Sequence, residues 1–238
     1  MYISEEAVIK MLKIDNLTAA YNGSKVLFGV SLEAEKGEVT CLVGRNGVGK
    51  STTMKSIMGL VDTPSGEIYI DKKKISGLPT YSRAKAGIGY VPQGREIFPQ
   101  LTVRENILLG MEANRKSDTI PEFIFEIFPI LKEFLDRKGG DLSGGQQQQL
   151  AIARAVVSEP KVLILDEPTE GIQPSVIQDI GRIITKLKEK MAVFIVEQYL
   201  EFVMEISDKC YVMEKGKIVM EGETKSLDKK ALQGLLSL

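Results

Sequence analysis

The chain has 238 residues, 43% of them hydrophobic and 26% charged, with a formal net charge of −1; this is the make-up of one globular domain and excludes a disordered tail or a basic nucleic-acid-binding face. Nowhere does an uninterrupted apolar run reach the roughly twenty residues that a bilayer-spanning helix needs, and the opening "MYISEEAVIK" carries acids where a secretory signal has a positive segment and then an apolar one. The expectation is a chain that is not exported; if it works at a membrane, another chain crosses it.

From residue 11 to residue 75 the pattern is short alternating runs, "LKIDNLTAAY", "GVSLEAEKGEVTCLVG" and "GEIYIDKKKI", divided by Gly, Asn and Asp turns. That alternation predicts strands, with one helix after Lys50. The lysines at 72–74 read as a solvated turn. After "GIGYVPQ" the texture changes to helical spacing over 102–134, punctuated by Pro121 and Pro129 and running into the glycine cluster at 139–145. "KVLILDEP" and "AVFIVEQ" are apolar runs each followed by a helical segment, as in βαβ units whose parallel strands are buried on both faces. "CYVMEKGKIVMEGE" reads as a hairpin turning at Lys215 and Gly216. Cys41 and Cys210 sit far apart in apolar runs, so inert buried thiols in a reducing compartment are expected.

The fold class predicted is α/β: a P-loop core with an N-terminal antiparallel β subdomain and an inserted helical subdomain. One domain spans 1–238, with 11–93 and 146–238 forming the core and β subdomain and about 94–145 the helical part.

"VTCLVGRNGVGKSTTMKSIMGL" places Gly44, Gly49, Lys50 and Ser51 in the G-x-x-x-x-G-K-[ST] pattern, after an apolar strand and before a helix. The glycines let several backbone N–H groups converge on one anion, and the helix adds its positive end. Lys50 then reaches the terminal phosphates, and the Ser51 hydroxyl suits Mg²⁺, a hard cation shared with phosphate oxygens. Asn46, Gly47 and Thr52 belong to the same candidate nucleotide site. "VLILDEP" ends a buried strand in Asp166 and Glu167, where α/β folds place ligands. Asp166 is the candidate metal carboxylate, through water, and Glu167 the group that orients and polarises attacking water. Gln93, with both a donor and an acceptor, is a candidate contact to metal and water.

A second phosphate-ready turn opens "DLSGGQQQQLAIARA": Ser143 is a good N-cap, and Gly144 and Gly145 leave backbone N–H groups bare. A helix turns about 100° per residue, so four consecutive glutamines cannot all face water. On the residues alone, an anion receptor and a well-capped helix are equal readings.

"LSGGQ" between a phosphate loop and "LILDE" resembles the ATP-binding subunits of ABC transporters, over about residues 11–223. The resemblance implies ATP and Mg²⁺ as cofactors. It also implies that Ser143, Gly144, Gly145 and Gln146 contact the γ-phosphate held by the phosphate loop of an opposing subunit. Tyr21 becomes the ring stacked on adenine, and Gln198, in "FIVEQY", takes the place of the usual switch histidine as a third catalytic residue beside Glu167 and Lys50. "EPTEGIQPS" and "VEQYLEF" are similar to the branched-chain amino-acid uptake group and, within it, to the urea importer ATPase. The partners implied are a second ATPase subunit, identical or related, two transmembrane permease subunits and an extracytoplasmic binding protein. The chain would then lie on the cytoplasmic face of the cell membrane.

Two departures bear on turnover. The chain has no histidine, and Gln198 donates an amide hydrogen bond without becoming a cation; the usual aspartate beyond the acid pair is Gln173. A weakly hydrolytic regulatory subunit therefore stays open. A soluble ABC ATPase acting on nucleic acid or the ribosome would carry two nucleotide domains or a long insertion, and a P-loop GTPase would carry "NKxD". Ile97, Phe98 and Leu101, in "GREIFPQLTVREN", are expected either in a groove for a helix of the membrane subunit or in the core.

Overall fold

The computed structural model describes residues 10–114 and 119–236. The opening residues 1–9, on which the export expectation rests in large part, lie outside it.

The N-terminal half forms β1 (Lys10–Tyr21), β2 (Ser24–Glu35), β3 (Val39–Val43), α1 (Lys50–Met58), β4 (Asp62–Ile70) and β5 (Lys73–Lys74). It continues through α2 (Thr80–Lys85) to β6 (Ile88–Val91). Three helices follow, α3 (Val103–Gly110), α4 (Glu122–Ile127) and α5 (Pro129–Glu133), and then α6 (Gly144–Val156). The last part alternates β7 (Val162–Asp166), α7 (Pro174–Lys188), β8 (Ala192–Glu197) and α8 (Leu200–Ile206). A hairpin, β9 (Lys209–Glu214) and β10 (Lys217–Glu223), and α9 (Lys229–Leu236) close the described chain.

Strands assemble into two sheets, an antiparallel one in the order β2-β1-β4-β5 and a six-stranded one in the order β10-β9-β3-β8-β7-β6. In the larger sheet every pairing from β9 through β6 is parallel, and only the β9–β10 hairpin is antiparallel. The predicted hairpin turn is there: Lys215 and Gly216 have φ of 47° and 75°, the doubly left-handed geometry that matches strand twist. Asn22 and Gly23, at 49° and 82°, make the same turn between β1 and β2. Of the three lysines read as a turn, all are exposed. Lys72 is in the turn with Asp71, while Lys73 and Lys74 pair with Ile70 and Tyr69 as a sheet edge.

β3, β7 and β8 are buried at every position. Their period of two divides the core. Val39, Cys41 and Val43 face a cluster with α6, α7 and α8, whereas Leu42 faces one with α1 and the small sheet. The α7 residues Ile180, Ile183, Ile184 and Leu187, spaced three and four apart, form the stripe that covers the first face. Helices α3 to α5 share that cluster through Val103, Ile107, Ile124 and Leu131, so the helical segment is packed onto the sheet. Pro121 caps α4 and Pro129 opens α5, positions where a missing N–H costs nothing. Both cysteines are buried and free, and no described helix is long and apolar enough to cross a membrane.

Candidate active site

The site stands at the carboxyl ends of β3, β7 and β8. β3 ends at Val43 and α1 begins at Lys50, leaving Gly44 to Gly49 as the turn. Gly49 has φ of 117°, and a Cβ there would lie 2.8 Å from Leu27 Cδ2, so no other residue fits without displacement. The first bond of α1 runs from Thr53 N–H to Gly49 O at 2.9 Å. The N–H groups of Lys50, Ser51 and Thr52 are therefore left for a ligand at the positive end of the helix.

Lys50 is 4% exposed. Its Nζ donates to Gly44 O at 2.8 Å and Arg45 O at 3.0 Å, and Glu167 Oε1 lies 3.9 Å away. Burial lowers its pKa, while Glu167, Asp166 and Glu197 oppose that shift. The ammonium thus sits ready above its own loop, among three carboxylates.

Asp166 ends β7, is 5% exposed, and its Oδ1 is buried with no hydrogen-bond partner in the structure. Burial, and then the Glu167 charge, push its pKa up to about 6. An orphaned buried carboxylate oxygen is costly unless something satisfies it, and a hard cation does. Gln93 spends its Nε2 on Glu167 Oε2, 3.2 Å away, which frees its amide oxygen. The donor set of Ser51, Gln93 and Asp166 thus fits Mg²⁺.

Glu167 has a left-handed backbone, φ 48°, and its N–H donates to Val196 O at 2.9 Å. Its carboxylate is held from two sides by Lys50 and Gln93. Gln198 is exposed in the turn after β8, and its N–H donates to Glu197 Oε2 at 2.8 Å. The structure therefore brings together Gly44, Lys50, Gln93, Asp166 and Glu167. Asn46 and Gly47 lie exposed on the loop, and Thr52 is buried in α1. Tyr21 is 42% exposed at the end of β1, in the open as a stacking ring must be.

The second turn is a capping box. Ser143 Oγ accepts from Gln146 N–H at 3.4 Å, and Gln146 Oε1 accepts from Ser143 N–H at 2.9 Å. The Gln146 side chain is folded back on the cap, which the S-x-x-Q spacing could have shown. Gly145 meets α7, where a Cβ would approach Val176 Cγ1 to 2.3 Å. Gln148 is the glutamine that enters the interior. Phe98 is 49% exposed and carries the Arg154 guanidinium 5.2 Å from its ring centroid, while Ile97 leans on the core.

Three residues escaped the sequence reading. Arg95, with φ of 71°, donates from Nη2 to Glu170 O at 3.3 Å and Gly171 O at 3.4 Å and lies beside Gly144. Glu197 and Thr169 are buried and bonded to each other. An acid ending the all-apolar run "AVFIVE" was the available signal.

A phosphate loop and an acid pair at the same edge of a mostly parallel sheet, with a serine-capped glycine helix packed on it, define a P-loop nucleotide hydrolase. The profile of the ABC transporter family matches residues 27–170, and the chain belongs to that family. It is 41% identical over 213 residues to the high-affinity branched-chain amino acid transport ATP-binding protein BraG of Pseudomonas aeruginosa, covering 88% of this chain and 91% of that one. The probable branched-chain amino acid transport ATP-binding protein LivF of Archaeoglobus fulgidus is 38% identical, over 91% of this chain and 94% of its own. The lipopolysaccharide export ATP-binding protein LptB of Haemophilus influenzae is 37% identical, over 90% and 91%. Among solved structures, a nucleotide-free ATP-binding cassette superposes with a TM-score of 0.80 at 30% identity, over 97% of this chain and 96% of that one. A dimeric cassette bound to ADP and phosphate superposes at 0.79 and 27%, over 91% and 100%. The chain is an ABC ATPase, and its hydrolysis of ATP is coupled to transport. The resemblance to the branched-chain amino-acid group is borne out. These relatives are named for branched-chain amino acid transport and for lipopolysaccharide export, and so do not share one solute.

Proposed function

We propose that this subunit drives an importer for branched-chain amino acids, as one of two ATPase subunits that close on two ATP molecules. The observation that carries the hydrolytic assignment is Glu167, held between Lys50 and Gln93 next to the orphaned oxygen of Asp166. In this reading Lys50 and the N–H groups of residues 50–52 bind the terminal phosphates, with Asn46, Gly47 and Gly49 shaping the loop. Ser51 and Gln93 would hold Mg²⁺, with Asp166 reaching it through water, and the bound ion would neutralise phosphate charge. Glu167 accepts the proton of the attacking water as its oxygen bonds to the γ-phosphorus and the bridging bond to ADP breaks. The Gln198 amide donates to a γ-phosphate oxygen. Tyr21 stacks on adenine.

The partner's Gly144 and Gly145 supply the remaining anion contacts through backbone N–H groups, those of Ser143 and Gln146 being held in the capping box, so ATP favours the closed pair and hydrolysis reopens it. The dimeric cassette with ADP and phosphate supports such a pairing. Phe98, exposed beside the Gln93 loop and backed by Arg154, is the proposed seat for a helix of the membrane subunits on the cytoplasmic face; an extracytoplasmic binding protein completes the assembly. Similarity to BraG and LivF supports amino-acid transport, with urea the second solute to test. Purifying the chain with its membrane partners, reconstituting them in vesicles and measuring ATPase stimulation by leucine-type amino acids, then urea, tests the solute. Stimulation by neither, with lipopolysaccharide active instead, would reverse the direction assigned.

A further inference from the structure

Glu197 closes β8 in a place where a carboxylate is expensive. It is 1% exposed, and burial pushes its pKa up. An aliphatic residue would end the strand at less cost. Both carboxylate oxygens are engaged by loops of the nucleotide machinery: Thr169 Oγ1 donates to Oε1, and the Gln198 N–H donates to Oε2 at 2.8 Å. Thr169 stands two residues after Glu167, and Glu197 itself is in register with Val43, the residue before the phosphate loop. One buried side chain is therefore placed where the loop after the acid pair, the turn bearing Gln198 and the end of β3 meet.

We infer that Glu197 is a positioning residue for hydrolysis, tying the Thr169 hydroxyl and the Gln198 backbone together so that the two loops keep one geometry around the γ-phosphate. It touches neither phosphate nor water itself; it acts through the loops that do. The inference rests on the roles given to Glu167 and Gln198.

The test is steady-state ATPase kinetics and thermal unfolding of the full chain. Glu197→Leu removes both acceptors and should lower kcat about 10- to 100-fold, the loss of hydrogen bonds to a charged group, with KM for ATP within about twofold and no loss of stability. Glu197→Gln should restore most of the rate, since its amide oxygen accepts from Gln198 and the Thr169 hydroxyl can turn to accept from its NH₂. Thr169→Val should slow turnover by itself but add nothing to Glu197→Leu. Wild-type kcat in Glu197→Leu, a proportional rise in KM, or losses that multiply in the double variant would each overturn the inference. If Glu197→Leu does not fold, Thr169→Val decides alone, an unchanged kcat being fatal. Glu167→Gln run alongside separates the levels. Retained turnover there removes the site reading and the inference together; loss there with a fully active Glu197→Leu removes only the inference.

Discussion

Lys50 Nζ and Glu167 Oε1 lie 3.9 Å apart, both side chains almost wholly shielded from water. In the proposed mechanism this pairs the cation that binds the phosphates with the carboxylate that activates water. On that proposal, a triphosphate entering the loop competes for the ammonium and frees Glu167 to act on water. Lys50→Ala should therefore weaken nucleotide binding first, by about 100-fold or more, since a buried charge-assisted contact is lost. Equilibrium binding of a fluorescent ATP analogue measures it, and undiminished affinity would dismiss the phosphate role of Lys50.

Removing the carboxylate charge of Glu167 has a different outcome. Glu167→Gln keeps the shape and the contact with Gln93, so ATP binding and ATP-dependent dimers should persist. Turnover should fall by about 100-fold or more, the scale of a lost general base. Single-turnover hydrolysis and size-exclusion chromatography with ATP check both halves; near-normal turnover would contradict the assignment.

The chain offers an unusually clean pH experiment because it has no histidine. The pKa of Asp166 is raised from an unfolded value near 3.8 to about 6, so between these values the folded state binds the extra proton. Stability of the nucleotide-free protein should accordingly increase as pH falls from 7 to 5, by roughly 1 kcal/mol from this group. Buried Glu197 acts in the same direction. Carboxylates held low, such as Asp71 and Glu105, lose their stabilising contribution only at lower pH. Chemical denaturation across this range tests the slope, and Asp166→Asn should flatten it. A slope that does not change in Asp166→Asn would show that the aspartate titrates normally.

Arg83 is buried and donates to Ser56 O at 2.7 Å, Ile57 O at 2.8 Å and Leu78 O at 2.8 Å. It closes the carboxyl end of α1, whose amino end is the proposed phosphate seat, and a cation there also suits the helix dipole. Arg83→Met should destabilise the fold by about 2–3 kcal/mol, the cost of leaving buried carbonyls unpaired. Thermal melts compared with wild type report the loss; a shift below a degree would deny the cap.

These residues also show what could be read in advance and what could not. The phosphate loop, the acid pair and the Lys215–Gly216 turn were legible because backbone geometry over a few residues dictates their letters. "KVLILDEP" and "AVFIVEQ" were legible as buried parallel strands because they have no polar face. Arg83, Arg95 and Glu197 were not, because each has a partner 26 or more residues away and no spacing encodes such contacts. Gln146 was readable only in part. Its helix start was plain, but the use of its side chain as the reciprocal cap depends on a rotamer that the letters allow and do not impose. The small lysine strand followed from pairing with β4, a tertiary effect that overrode turn-like composition.

In the proposed dimer each ATP is shared, gripped by the lysine of one subunit and completed by the glycine turn of the other. A crystal structure of Glu167→Gln with ATP and Mg²⁺ tests this most directly. The expected structure is a head-to-tail dimer in which the Gly144 and Gly145 N–H groups stand within about 3 Å, hydrogen-bonding distance, of the γ-phosphate bound at the partner's Lys50. A nucleotide-loaded dimer with those two glycines far from every γ-phosphate would contradict it.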